Sequence, residues 1–488
     1  MYNQRLWVFA TVAAIAAPSF AQQVYEVDTT VDTTLGNCTA TPNDCGLRGA
    51  ITRANNDGAD SQIILADGIY QLGFVGANED NNLTGDLDVH SALEIIATPG
   101  ASPTIEQTAI DRVLHIHTGS GEVRIVGPLV ITGGQADGSS PGGGIYSDLN
   151  SDLELEDVVL SGNQAAGAGG CLNYRGVAGS TLAFHRVTLT DCHTATEGGG
   201  AWIFNSQATI TSSLIEANTA YEDGGGLRFD GGSIVILDTT VRGNVAGNQF
   251  TSNSRGGGLS LIGANSVLRQ STVSDNQVGV PSTVTAEGGG IFAGASPSIL
   301  VENSTISANR IEGVTQFGAG LAISDCFAST LNHTSVVDNS TQGEDGFSFF
   351  VLDPQSLTLR NSIIDGGCSG STGSIVSAGF NVERPWNGST NTTCNLTNPS
   401  DLKVTDLMLR PLAGNGGPSD THALLPGSPA QLLVSSAQCQ AEDQRHAVRA
   451  GLFCDAGAYD DSSTPPGQWI FADGFESGDT AAWSDSQP

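Results

Sequence analysis

Four side chains recur at one position of a repeating pattern: Tyr146, Trp202, Arg228 and Phe292, each the second residue after a glycine-rich cluster. Aromatic faces stack on sugar rings, and a guanidinium bonds hydroxyls or a carboxylate. In a row they would form a binding strip for a cell-surface glycan or a protein partner. The competing reading has the variable segments between repeats cover them. A second candidate is Asp80-Asn81-Asn82-Leu83-Thr84-Gly85-Asp86-Leu87-Asp88. Asp80, Asn82, Thr84, Asp86 and Asp88 set hard oxygens at alternate positions, which suits calcium, although the distal bidentate glutamate of an EF-hand is missing. Calcium is the one cofactor suggested. His115 and His117 alternate on one segment, and His185 and His193 come later, but no set has metal-ligand spacing.

The elements that position these residues are repeats. Glycine clusters end at Gly144, Cys171, Gly200, Gly226, Gly258, Gly290 and Gly320, steps of 27, 29, 26, 32, 32 and 30 residues. Each is answered by one turn residue: Asn163, Cys192, Asn218, Asn244, Asn276, Asn309 and Asn339. A fixed period of this size is the mark of a solenoid. The period within a repeat is two. Three residues before each turn lie Leu160, Leu189, Ile215, Val241, Val273, Ile306 and Val336, an inward column, with mostly polar residues following. Coils stacked ~4.8 Å apart predict a right-handed parallel β-helix, a pectin-lyase-like all-β solenoid, over residues 63–364. Glycine serves corners that need positive φ or close backbone approach. Asparagine tolerates left-handed turn geometry and can bond its neighbour one coil away, so Asn163, Asn218, Asn244, Asn276, Asn309 and Asn339 should form a structural ladder.

The chain has 488 residues, a single lysine and a formal charge of −33. That balance argues against nucleic acid or an anionic membrane as partner. A polyanionic sugar such as pectate would need calcium to bridge the charges. Residues 1–21 read as a signal peptide, with Arg5, an apolar run from Leu6 to Ala17 and Ser19-Phe20-Ala21 before the cut. No later run is long and apolar enough for a transmembrane helix. An exported chain can oxidise its nine cysteines. Sequence neighbours pair Cys38 with Cys45, Cys368 with Cys394 and Cys439 with Cys454. Cys171 and Cys192 are a further candidate pair, leaving Cys326 over.

Residues 22–62 read as an N-terminal cap: a strand from Val24 to Val31, then a short helix with Leu47, Ala50, Ile51 and Ala54 on one face. Asn43 or Asp44 would cap its start, and Asn55-Asn56-Asp57-Gly58 would end it. Cys45-Gly46-Leu47-Arg48-Gly49-Ala50-Ile51 resembles the Cys-Ser-Leu-Arg-Glu-Ala segment of a group of exported bacterial β-helix proteins. The glycine and asparagine repeats are similar to those of polymorphic outer-membrane proteins. Leu412-Ala413-Gly414-Asn415-Gly416-Gly417-Pro418 and Cys454-Asp455-Ala456-Gly457-Ala458-Tyr459 resemble a C-terminal module with variable anchoring, placed at 365–461. A linker and a terminal motif, Ile470 to Gly478 with Trp483, complete 462–488.

These resemblances imply fold and export rather than an activity. The solenoid lacks the Asn-Thr-Asp, Asp-Asp, Gly-His-Gly and Arg-Ile-Lys segments of polygalacturonase-like hydrolases. Scattered carboxylates such as Glu216 and Asp238 remain available to a hydrolase, which needs two at ~6.5–9.5 Å for inversion. The reading is therefore an exported, non-enzymatic surface or secreted protein for adhesion or recognition. The alternative is a polysaccharide lyase or glycoside hydrolase.

Overall fold

The computed structural model describes residues 23–463, apart from 78, 248–252, 280–284, 313–314, 342–346, 353–356, 371–374, 386–393 and 395. The leader and the terminal motif lie outside the described residues.

Alternating apolar residues produce strands that pair in parallel, coil on coil, as a β-helix. Strands after the glycine clusters form one sheet, for example Leu172–Arg175 on Ala201–Thr211 and Ala201–Thr211 on Leu227–Leu237. Strands before the turn asparagines form another: Thr188–Thr190, Leu214–Glu216, Thr240–Arg242, Thr272–Ser274, Thr305–Ser307 and Ser335–Val337. The inward column from Leu160 to Val336 is fully buried. Each such side chain contributes about 1.5–3 kcal/mol of burial.

The asparagine column is a hydrogen-bonded ladder. From Asn218 to Asn309, each amide nitrogen donates to the Oδ1 of the asparagine in the next coil and to a main-chain carbonyl. One detail of the expectation is corrected. The left-handed residue is the one before each asparagine: Ala217, Gly243, Asp275, Ala308 and Asp338 have φ of 55–63°. The asparagine itself stays at negative φ because its amide must point along the stack to reach the next coil. Past the two-residue strand Thr219–Ala220 that follows Asn218, Gly224 has φ 68°, and a Cβ on Gly225 would meet the Gly257 carbonyl oxygen at 2.4 Å. Hence the glycine clusters.

A second ladder was not anticipated. Ser213, Thr239, Ser271 and Ser304 accept from the main-chain N–H of the residue one coil earlier, at 3.1–3.3 Å. Each again follows a residue at positive φ: Ser212, Asp238, Gln270 and Asn303.

The solenoid runs past residue 364. Ile375–Gly379 and Val382–Arg384 pair onto the coil before them, and Leu402–Lys403 pairs onto Val382–Arg384. Asn381 and Asp401 replace the corner hydroxyls by accepting from Ser362 and Asn381 N–H. That substitution hides the coil from a search for the regular repeat.

At the other end the first strand is Gln23–Val27, shorter than expected, because Asp28 turns the chain by accepting from Cys45 N–H. The helix is Leu47–Asp57, with Gly46 in the capping position. Asp44 does not cap it, since its carboxylate is taken by the Thr39 N–H and hydroxyl. Arg48 is buried, pairs with Asp32 at 2.7 Å and donates to the Gly85 and Asp86 carbonyls.

Residues 404–463 form a loop-rich module docked on the short-strand sheet. Gln444 bonds Thr272 and Thr305, His422 meets Ser307 at 2.8 Å, and His446 meets Asp238 at 2.7 Å. Four disulfides join Cys38 to Cys45, Cys171 to Cys192, Cys368 to Cys394 and Cys439 to Cys454, and Cys326 is a buried free thiol. No helix among the described residues is long and apolar enough to cross a membrane.

Candidate functional site

Parallel register turns one position of each repeat into a column. Along the sheet that follows the glycines it reads Asp88, His115, Tyr146, Asn173, Trp202, Arg228, Ser260, Phe292 and Ala322. Two residues on, a parallel column reads Arg175, Phe204, Asp230, Ile262, Gly294 and Ser324. Both project from the outer face, because side chains alternate along a strand. The docked module covers a different sheet.

The four ligand-binding candidates have different fates. Trp202 is half-buried; its indole N–H donates to Asp230 at 2.6 Å and its ring stacks on Phe204, centroids 5.7 Å apart. Phe204 is 38% exposed, so the pair presents an apolar face. Tyr146 is enclosed by the His115 ring at 4.9 Å and the Arg112 guanidinium at 5.1 Å. Phe292 corrects the expectation of a solvent-facing ring: it is 3% exposed, under Arg255 at 5.0 Å and packed with Ala322, Ile262 and Phe317. The cause is repeat length. The longer repeats contain additional strands, Ser254–Arg255, Thr285–Glu287 and Thr315–Phe317, which form their own small sheet. That sheet brings Arg255 and Phe317 over the column.

Arg228 sits at the centre of a carboxylate group. Its Nη1 is 2.6 Å from Glu197 and 2.9 Å from Asp223, and its Nε is 2.8 Å from Asp230. Burial pulls the Arg228 pKa down, but Asp230, Glu197 and Asp223 outweigh it and hold it above its ordinary value. Burial pushes Glu197 up to about 7, with Asp223 and Asp230 adding to the rise and Arg228 opposing it. Asp223 is pushed up to about 6, again mainly by burial against the pull of Arg228. Groups shifted in this way mark functional sites more often than chance. Glu197 and Asp223 were missed in the sequence, although the signal was there: Glu197, Asp223, Arg255 and Glu287 each stand immediately before a glycine cluster.

The expected calcium loop spends much of its oxygen on the protein. The Asn82 side chain exchanges bonds of 2.7 Å with the Asp88 main chain. Asp86 lies 3.7 Å from Arg112, and burial with Asp111 and Asp88 nearby raises its pKa to about 8. The Thr84 N–H is held by Glu79. Asp80 and Asp88 instead meet the histidines. Asp88 Oδ1 is 2.8 Å from His117 Nε2 and 3.7 Å from His115 Nδ1. Burial foremost, then His117, Arg112 and His90, push the His115 pKa down to about 2. Glu216 and Asp238 each have a basic partner, Arg242 at 2.8 Å and His446 at 2.7 Å.

Comparison with known proteins bears on the fold. Residues 212–392 match the family described as "Right handed beta helix region". No curated protein matches the chain by sequence. Among solved structures, the xylose complex of XylC superposes at a TM-score of 0.53 with 8% identity, covering 90% of this chain and 98% of that one. Pectate lyase Pel9A superposes at 0.48 with 14% identity, covering 90% and 96%. The chain is thus a right-handed parallel β-helix protein.

Proposed function

We propose that this is an exported protein that recognises glycans on the outer sheet face carrying Trp202, Phe204 and Arg228, without turning them over. The observation that carries the reading is the stacked Trp202–Phe204 pair beside the polar side chains of Arg228, Asp230 and Glu197. An apolar aromatic face edged by fixed donors and acceptors is what a sugar ring needs. Export is supported by the leader in residues 1–21, by the resemblance of the Cys45–Ile51 segment to exported bacterial β-helix proteins, and by four disulfides, which need an oxidising compartment. A surface location, with residues 365–461 as anchor, rests on resemblance alone.

Non-enzymatic recognition is favoured by Arg228 itself. A lyase of this shape uses a basic side chain to take a proton, and three carboxylates hold Arg228 firmly protonated. One observation favours the alternative, a carbohydrate-active enzyme: the raised pKa of Glu197 suits a general acid. Glycan-array binding by the mature chain tests the leading reading. Binding should weaken by roughly 1–3 kcal/mol in Trp202→Ala, the scale of a lost aromatic stack. Undiminished binding by a folded Trp202→Ala protein would overturn it.

A further inference from the structure

We propose that Asp80, Asp88, His115 and His117 bind a divalent transition-metal ion of the zinc type. Each offers one ligand atom, and the four atoms lie within 4.8 Å of one another. Two features of the fold assemble them. Parallel register places Asp88 directly beside His115 in the next coil. Alternation puts His117 on the same outer face as His115, and its ring lies 3.6 Å from the His115 ring.

One hydrogen bond, His117 Nε2 to Asp88 Oδ1 at 2.8 Å, already ties two of the four together, and a metal ion would take its place. His115 is 9% exposed, yet its Nε2 has no hydrogen-bond partner and its Nδ1 stands 3.7 Å from Asp88, beyond hydrogen-bond reach. A buried polar ring left unpaired is costly unless something else satisfies it. Asp88 is oriented for one-oxygen ligation. Its Oδ2 accepts from the Asn82 N–H at 3.0 Å, leaving Oδ1 turned to the imidazoles. Such outer bonds normally fix a metal-bound carboxylate. His90 stacks on His117 at 4.0 Å and holds the Asp80 carbonyl at 2.9 Å, so it positions both a ligand ring and the ligand loop.

The donor set selects the ion. Two imidazoles with two carboxylates suit zinc and its neighbours, whereas calcium and magnesium take oxygen shells. Tetrahedral zinc at about 2.0–2.1 Å from each ligand implies donor atoms roughly 3.3 Å apart. The group therefore contracts slightly on binding, and the side chain of Asp80, the exposed ligand, is the one with room to close the shell. Bound metal would fasten the 79–86 segment, which Arg48 already ties to the cap through Gly85 and Asp86, onto two successive coils.

The test uses the metal-stripped mature chain titrated with zinc chloride alone, with calcium chloride as the comparison. The expected result is one zinc per chain, a higher unfolding midpoint with zinc, and visible absorption of four-coordinate cobalt when cobalt(II) is the probe. His117→Gln and Asp80→Asn should each weaken zinc binding at least about tenfold. Asp80→Asn removes an exposed carboxylate and leaves the Asp80 main-chain carbonyl in place, so it tests the site without burdening the fold. Failure to bind one zinc per chain, or zinc binding by both variants undiminished from that of the unaltered chain, would overturn the proposal. Equal competition by calcium would also overturn it.

Discussion

The asparagine ladder gives a prediction whose size follows from bond counts. The Asn244 side chain is fully buried and makes four hydrogen bonds: to the Ile215 carbonyl, to Asn276 Oδ1, and from both the main-chain and side-chain nitrogens of Asn218. Asn163, beside the cysteine that interrupts the ladder, makes two: from the Gly134 N–H and to the Ile131 carbonyl. Each bond is worth roughly 0.5–1.5 kcal/mol net, and a buried group left unpaired costs more. Asn244→Ala should therefore destabilise the chain by about 3–5 kcal/mol, and Asn163→Ala by about half as much. Urea denaturation followed by circular dichroism measures both. Equal effects, or an unchanged midpoint for Asn244→Ala, would refute the claim that stability follows the number of ladder bonds.

Three further outcomes are expected. Glu197 has its pKa raised by folding from about 4.5 toward about 7, so its contribution is complete below the lower value and is lost as pH rises through the upper one. Glu197→Gln should flatten that loss in denaturation midpoints measured between these limits. His446 is also raised, chiefly by its bond to Asp238, so module docking should weaken as pH rises through its folded pKa. Asp238→Asn should reduce that pH dependence in limited proteolysis, leaving the smaller part due to Glu442. Peptide mapping without reduction should recover four linked pairs with Cys326 as the thiol, and replacing Cys171 and Cys192 together by serine should lower stability by about 3 kcal/mol in urea denaturation.

What was legible in the sequence is what repeats. Glycine clusters, inward aliphatics and turn asparagines recur at one spacing, so the period identifies both the coil and its faces. The hydroxyl ladder of Ser213, Thr239, Ser271 and Ser304 also recurs, but serine and threonine occur at many surface positions and did not stand out. Phe292 was misplaced because the strands that cover it come from the variable part of the repeat. Asp88, His115 and His117 meet only through register between coils, which spacing alone does not supply. Docking of Gln444 onto Thr272 joins residues far apart in the chain and has no local signal.

The most direct test of the account compares binding with turnover on one panel of neutral and acidic polysaccharides, using the mature chain, Trp202→Ala, Glu197→Gln and Asp223→Asn. The account predicts a glycan that binds, loses affinity in Trp202→Ala and is released chemically unchanged. Product formation by the mature chain, abolished in Glu197→Gln or Asp223→Asn, would contradict it and make the Arg228 cluster an active site.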